Sequence, residues 1–171
     1  MRKFVTIFAL AANLALADAV VKEIAVSRLD GRPAVSVIPG LFDLALVRNM
    51  GCAWGMLQGH VWPLAVFGIL AMALLVWKRR AVFSVPDGAR FPRLAKALCA
   101  AAEPLLYAGI VGNLLDRVVR GHVVDMLDFH WGVHHFPCFN LADAYISVAA
   151  AFLIAVSFMP HGGAAKTGKQ K

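Results

Sequence analysis

Three aspartates lie near the ends of apolar segments in the second half of the chain: Asp116, Asp125 and Asp143. Two carboxylates that are brought close together cannot both ionise cheaply, so one of them keeps its proton. Such a pair can work as base and acid together, activating water against a peptide carbonyl and protonating the leaving nitrogen. The residue types therefore allow peptide hydrolysis. They also allow an alternative without catalysis, in which Asp125 and Asp143 are solvated carboxylates at helix ends.

Asparagine and arginine side chains accompany these aspartates at helical spacing. Asn113, Asp116 and Arg117 stand at i, i+3 and i+4 and therefore share one face of a helix, as do Asn140 and Asp143. The two asparagines could orient the carboxylates or a bound peptide backbone, or could simply hydrogen-bond helices to one another. Asp116 is expected to tether either Arg117 or the backbone of the following loop.

Asp18 and Lys22 are ionisable residues inside the first apolar segment, where charges are costly and usually have a function. They are spaced i, i+4 with the acid first, which favours an ion pair that stabilises the helix. Contact with the substrate or a lipid headgroup is the alternative.

Histidines and cysteines raise two further possibilities. His130, His134 and His135 have no glutamate between them as in HExxH, and the intervening residues are poor helix formers, so an interfacial loop is favoured over a metal site. Cys52 and Cys138 could face the same side of a membrane, and their spacing neither establishes nor excludes a disulfide.

The composition indicates lipid as the solvent of this chain. Of 171 residues, 60% are hydrophobic and 16% charged, and the mean hydropathy is +0.70. A soluble domain needs more charge to wet its surface. The formal net charge of +7 does not indicate nucleic-acid binding, because the basic residues lie in short stretches between apolar runs rather than on one face.

Four apolar segments, at about residues 4–26, Val61–Trp77, 94–115 and 139–159, are each close to the ~20 residues that cross a bilayer as a helix. Lys and Arg are in excess before the first segment, between the second and third, and after the fourth. The positive-inside rule therefore predicts an all-α membrane protein of four transmembrane helices with both termini cytoplasmic.

The first outer loop, at about residues 27–60, contains two β-prone stretches, 34–38 and 43–47. They predict a small extracytoplasmic β-platform, followed by a short interfacial helix at 53–57. Residues 1–160 are predicted to form a single domain, with a disordered cytoplasmic tail at 161–171. The N-terminus resembles a secretory signal, but the apolar run continues beyond the cleavage-like site, so we expect it to be retained.

The motifs around these aspartates resemble those of lipoprotein signal peptidase, also called signal peptidase II. The resemblance covers about residues 18–143. It rests on Asp18 and Lys22 in the first segment, Asn49, Gly51 and Ala53 in the outer loop, Gly112, Asn113, Asp116 and Arg117, then Gly121, Val123 and Asp125, and finally Phe139, Asn140, Ala142 and Asp143.

The resemblance implies an aspartyl protease at the outer face of the bacterial inner membrane, with Asp125 and Asp143 as its catalytic pair. Its substrate would be a prolipoprotein, cut just before a cysteine that bears diacylglycerol. No metal or organic cofactor is expected, nor a nucleic-acid partner. Inhibition by the cyclic peptide globomycin is expected, and the protein is expected to be a monomer among membrane lipids.

Supporting roles are implied for Asn49, Asn113, Arg117 and Asn140. The other candidate site residues are Gly51, Asp116, Ala142, Asp18, Lys22 and Trp54.

Three positions depart from the family pattern. Trp54 and Gly55 stand where the family usually has Phe and Ser, which removes a hydroxyl, and Val21 replaces a frequent Thr before Lys22. The outer loop is expected to close over the site as a lid. A proton-coupled transporter and a structural subunit remain as alternatives, although the acids gather at one interface rather than along a path through the bilayer.

Overall fold

The computed structural model describes residues 2–52 and 56–160. In chain order the elements are α1 (Arg2–Leu29), β1 (Val35–Ile38), β2 (Phe42–Asn49), α2 (Val61–Trp77), α3 (Arg79–Val82), α4 (Pro92–Arg120), β3 (Val123–Trp131), β4 (His134–His135) and α5 (Leu141–Ser157).

All four predicted apolar segments are helical. Two helices, Phe4–Leu29 and Pro92–Arg120, are long and apolar enough to cross a membrane, whereas α2 and α5 are shorter apolar helices of 17 residues each. At 1.5 Å per residue a 17-residue helix spans about 25 Å. Four helices that cross the bilayer therefore remain a prediction, as does the location of the termini.

The two long helices continue past the apolar segments that predicted them. α1 ends at Leu29 rather than near residue 26, and α4 extends from Pro92 to Arg120 rather than over 94–115. The extra turns contain charged residues that have partners in the fold, such as Arg120, which contacts Asp116. A prediction from hydropathy alone ends a helix at the first charged residues. A helix can continue past that point when its charged residues have partners.

The helix α4 lies at the centre, in contact with α1, α2 and α5. Its glycines let α5 approach closely, because a Cβ on Gly109 would lie 2.5 Å from the Ala142 carbonyl oxygen. Small residues serve this purpose at membrane helix interfaces. On the other side, buried Ala11, Ala15 and Ala108 let α1 pack against α4.

The β-platform is larger than predicted. It is an antiparallel sheet in the order β1-β2-β3-β4, in which β1 and β2 correspond to the two predicted stretches. The third strand comes from the segment between α4 and α5, which carries Asp125 and was predicted only as a loop. Its first four residues are all buried, so the strand lacks the alternating pattern that would reveal it. The prediction of a platform confined to the first outer loop is therefore wrong.

The predicted short helix at 53–57 lies mostly outside the described residues, since these exclude 53–55. Its described end, Met56 and Leu57, forms a turn in which Leu57 has a φ of 56°. The predicted tail at 161–171 also lies outside the described residues.

Candidate active site

The two aspartates of the predicted pair are carried by different elements. Asp125 lies in β3 and is 1% exposed, in a strand segment that packs on α1 through Val124 and Met126. Asp143 lies in the first turn of α5. Both line one cavity of about 540 Å³, so the structure brings them to a common space.

The residues that begin α5 also fix Asp143. The side-chain oxygen of Asn140 accepts from the Asp143 backbone N–H at 3.0 Å. In return, Oδ2 of Asp143 accepts from the Asn140 backbone N–H at 3.2 Å. This reciprocal capping box satisfies two otherwise unpaired donors, so the start of the helix also positions a carboxylate.

Three asparagine amides donate to the two carboxylates. Asp125 accepts from Asn140 Nδ2 at 2.7 Å through Oδ1, and from Asn49 Nδ2 at 3.0 Å through Oδ2. Asp143 accepts from Asn113 Nδ2 at 2.7 Å through Oδ1. Every carboxylate oxygen of the pair therefore has a donor, which favours the ionised forms against the cost of burial.

The carbonyl side of each amide is held as well, which fixes its orientation. Asn49 Oδ1 accepts from the Gly51 backbone N–H at 2.9 Å. Asn113 Oδ1 accepts from Asn140 Nδ2 at 3.1 Å and from Lys22 Nζ at 3.3 Å. A flipped amide would place an oxygen against a carboxylate, so these contacts determine which atom faces the aspartates.

Burial raises the pKa of Asp125 from its ordinary value to about 7, and the charge of Asp143 adds to the effect. The amide donors Asn49 and Asn140 oppose this rise. A carboxyl group that keeps its proton near neutral pH beside a second carboxylate is the arrangement required for shared acid–base chemistry.

Asp116 and Arg117 are adjacent in sequence but have different partners. Arg117 donates to the backbone carbonyls of Gly51, at 3.1 Å, and Asn113, at 3.2 Å, and it lines the cavity. Asp116 accepts from Arg120 and from the Val124 backbone N–H. Of the two predicted alternatives, Asp116 therefore tethers the loop backbone.

Asp18 and Lys22 form the predicted ion pair, at 2.7 Å, and both side chains are about 1% exposed. Oδ1 of Asp18 accepts from the Ala142 backbone N–H at 3.0 Å, which joins α1 to the start of α5. Ala142 is fully buried. A Cβ on Gly112 would lie 3.1 Å from the Cβ of Ala142. This position therefore has no room for a larger side chain.

The apolar wall of the cavity includes Phe136, Phe139, Ile146 and Val148. Of these the sequence singled out only Phe139, as part of a motif. Ile146 lies one turn after Asp143, so helical spacing was an available signal for it. Phe136 follows β4, and no local pattern indicates its position. Trp54 lies outside the described residues.

The cysteines Cys52 and Cys138 both line the cavity as free thiols, so the possible disulfide between them is not formed. Burial raises the pKa of Cys138 to about 12, and the charge of Asp125 adds to this effect.

The three histidines lie on and beside the β3–β4 hairpin. The His130 and His135 rings stack at 4.8 Å, and His135 Nδ1 lies 2.9 Å from Asp128 Oδ1. Among residues 2–52 and 56–160, no three His, Cys, Asp or Glu side chains are grouped to hold a metal ion.

Comparison with known proteins gives one consistent answer. The family model described as "Signal peptidase (SPase) II" matches residues 10–159. The lipoprotein signal peptidase of Syntrophotalea carbinolica is 38% identical over 152 residues, covering 86% of this chain and 88% of the relative. That of Symbiobacterium thermophilum is 36% identical over 136 residues, covering 80% and 83%.

Two solved structures of a bacterial membrane enzyme have the same fold. Their TM-scores are 0.70 and 0.68, each at 28% identity. The first match covers 90% of this chain and 92% of the solved chain, and the second covers 89% and 87%.

The shared fold and the apolar helices define the chain as a membrane enzyme. It belongs to the signal peptidase II family and is therefore a membrane protease.

Proposed function

We propose that the chain is an aspartyl endopeptidase that removes signal peptides from diacylglyceryl-modified prolipoproteins, cutting just before the lipidated cysteine. The observation that carries the proposal is the pair Asp125 and Asp143, which share one cavity with an asparagine amide on each carboxylate. The names of the relatives supply the substrate class. We further propose that the protein spans the bacterial inner membrane four times, with this site near the periplasmic face.

In the proposed reaction Asp143 is the base and Asp125 the acid. Asp143 takes a proton from water while the water oxygen bonds to the scissile carbonyl carbon. Asp125 gives its proton to the carbonyl oxygen. The C–N bond of the tetrahedral intermediate then breaks as Asp143 gives its proton to the leaving nitrogen and Asp125 takes a proton back from a hydroxyl of the intermediate. Support for these roles comes from the pKa of about 7 of Asp125 and from the position of Asp143 at a helix N-terminus, which favours negative charge.

The walls of the cavity suit a lipidated, apolar substrate. Phe136, Phe139, Ile146 and Val148 surround the polar floor formed by the pair and its asparagines. An apolar wall holds a signal peptide and excludes water other than the nucleophile. Arg117 donates to two backbone carbonyls and has five N–H groups, so within the described part of the chain it has further donors that could hold the substrate backbone. The outer loop, including Trp54, would close over the bound chain.

The test is cleavage of a synthetic diacylglyceryl-modified precursor by the purified enzyme, with and without globomycin. Asp125→Asn and Asp143→Asn should each lower turnover by a factor of about 10⁴ or more. Both variants should still insert normally into the membrane. Asp30→Asn is the matched control, because Asp30 is exposed and pairs only with Arg48 among the ion pairs of the described chain. Near-normal turnover by either active-site variant would disprove the assignment of the pair.

A further inference from the structure

Lys22 is a fully buried charge that does not contact the catalytic pair directly. Its ammonium group donates to Asp18 Oδ2 at 2.7 Å, Asp116 Oδ2 at 3.0 Å and Asn113 Oδ1 at 3.3 Å. An ammonium group has three N–H bonds, so all three are used. Lys22 and Arg120 together balance the charges of the two acids. The third acceptor of Lys22 is an amide rather than an acid.

That amide leads directly to the active site. Oδ1 of Asn113 faces Lys22, and Nδ2 of the same side chain donates to Asp143 Oδ1 at 2.7 Å. A cation on the carbonyl oxygen draws electron density from the amide nitrogen, which strengthens donation by its N–H. The stronger donor stabilises a carboxylate more than a carboxylic acid. The charge of Lys22 is therefore transmitted through Asn113 to Asp143. Its charge also lowers the pKa of Asp125, but as the smallest of the contributions to that group.

The partners of Lys22 lie on two helices, α1 and α4, and each of the two acids is tied to a further element. Asp18, on its own helix α1, is tied to α5 through the Ala142 N–H. Asp116, on α4, is tied to β3 through the Val124 N–H and to Arg120. The ammonium group cannot leave Asn113 without separating from both acids, so its geometry is fixed before any substrate binds.

Asp125 has a different environment. Its donors are Asn140 and Asn49. The carbonyl of Asn49 faces the neutral Gly51 N–H, and that of Asn140 faces the Asp143 N–H. Among residues 2–52 and 56–160, the partners of these two amide oxygens are backbone N–H groups and not cations. The two carboxylates therefore differ in the strength of their amide donors.

We propose that Lys22 is a positioning residue of the peptidase: acting through Asn113, it keeps Asp143 as the ionised base and leaves the shared proton on Asp125. The proposal rests on the function proposed above and deepens it, because it assigns the two acids different roles and explains a buried cation.

The test uses a graded set of variants, of which the two double variants keep the net charge of the wild-type cluster. Lys22→Met alone would leave Asp18 without a cation, whereas Asp116 would keep Arg120. It is therefore combined with Asp18→Asn, whose oxygen can still accept from Ala142. Asp18→Asn with Lys22→Gln keeps a neutral donor to Asn113, whereas Asp18→Asn with Lys22→Met keeps none. Asp18→Asn alone is the baseline.

The control for stability is Glu103→Gln. Glu103 is a buried acid on α4 that pairs with Arg79, remote from Asn113 in the sequence of that helix. Its replacement disturbs a buried ion pair without touching the polar network of the site. A change that reflects stability alone should appear in Glu103→Gln as well.

The measurement is the pH dependence of kcat and KM on the lipidated precursor. The acidic limb of the kcat profile marks the pH below which the base is protonated. In the Lys22→Met double variant this limb should move to higher pH by roughly one unit. The maximal kcat should fall roughly tenfold or more, with KM within about threefold of the baseline. The Lys22→Gln double variant should lie between this variant and the baseline, and Glu103→Gln should keep the wild-type limb.

An independent reading uses the carboxyl infrared band, titrated without substrate and assigned with Asp143→Asn. The Met double variant should need a higher pH than the baseline to ionise Asp143. An unmoved limb and band, or a loss confined to KM, would overturn the inference. If the wild type does not cleave the precursor but the band still shifts, the proposed function fails and the role of Lys22 stands.

Discussion

Asn140 combines two roles that a substitution can separate. Its oxygen caps α5 by accepting from the Asp143 N–H, and its nitrogen donates to Asp125 and Asn113. The first role depends on an acceptor atom and the second on a donor. A side chain with the same shape and no donor therefore tests the second alone.

Asn140→Asp should stay folded but lose activity. Aspartate caps a helix as well as asparagine does, so any fall in the midpoint of unfolding in detergent should come from the buried carboxylate beside Asp125 and not from loss of the cap. The substitution replaces the N–H donor with a carboxylate that faces Asp125, so turnover of the lipidated precursor should fall at least about a hundredfold. Asn140→Ala is the comparison, since it removes the cap as well and should cost about 1 kcal/mol of stability. Wild-type turnover by Asn140→Asp would mean that the amide donor is dispensable.

The pKa of about 7 of Asp125 predicts the alkaline side of the pH profile. An acid must carry its proton to donate it, so kcat should fall as pH rises through about 7. Asn49 donates to Asp125 and lowers its pKa. Removing that donor in Asn49→Ala should therefore move the alkaline limb to higher pH. The exposed Asp30→Asn variant should keep the wild-type limb, and a limb that moves down in Asn49→Ala would contradict the assignment of Asp125 as the acid.

At this scale the sequence predicted which residues form the site better than it predicted their contacts. The motifs named Asn49, Asn113 and Asn140, and the structure places all three against the pair. Helical spacing put Asp116 and Arg117 side by side but could not decide their partners, because those lie on β3 and in the first outer loop. Contacts between distant segments depend on how the elements pack, which no local pattern encodes.

At the scale of elements, the approach of α4 and α5 sets the distance between Asn113 and Asp143. The side of α4 that faces α5 carries Gly109 and Gly112, and both lie close to Ala142. The helices were predictable because long apolar runs indicate them directly. The strand β3 was not, because its buried first half has no alternation and its pairing partner β2 lies more than 70 residues earlier in the chain.

Gly109→Ala should separate the two helices. A Cβ at this position would lie 2.5 Å from both the Ala142 carbonyl oxygen and Ile146 Cγ1, so a helix must shift. Overpacking of this kind costs about 1–3 kcal/mol, and it should also lower kcat because Asp143 follows Ala142 directly. Gly68→Ala on α2 is the control, since its nearest neighbour is 3.9 Å away and alanine is the better helix former. Equal stability of the two variants, measured by denaturant unfolding in micelles, would contradict this packing.

At the scale of the whole molecule, the site and the basic clusters lie at opposite ends of the helices. The end of α1 near Glu23 meets the end of α4 at Arg120. Arg120 also contacts Asp116, which accepts from Val124 of β3 next to Asp125. The opposite end brings Phe4 of α1 against Arg79 of α3. The basic residues Lys78, Arg79 and Arg80 follow α2 at that same end. With this polarity, the positive-inside rule predicts that the proposed site lies on the outer face.

Labelling of single cysteines can test this orientation in a variant that lacks Cys52, Cys99 and Cys138. Val133→Cys lies at the tip of the β3–β4 hairpin, where Val133 is 86% exposed. Asp87→Cys lies in the exposed segment between α3 and α4. A membrane-impermeant maleimide should label Val133→Cys in intact spheroplasts, and should label Asp87→Cys only after the membrane is permeabilised. The reverse pattern would mean that the proposed catalytic pair lies on the cytoplasmic side and the basic residues on the outer side, contrary to the positive-inside rule. Labelling of both cysteine variants in intact spheroplasts would mean that α2 does not carry the chain back across the bilayer. The four-span topology would then be wrong.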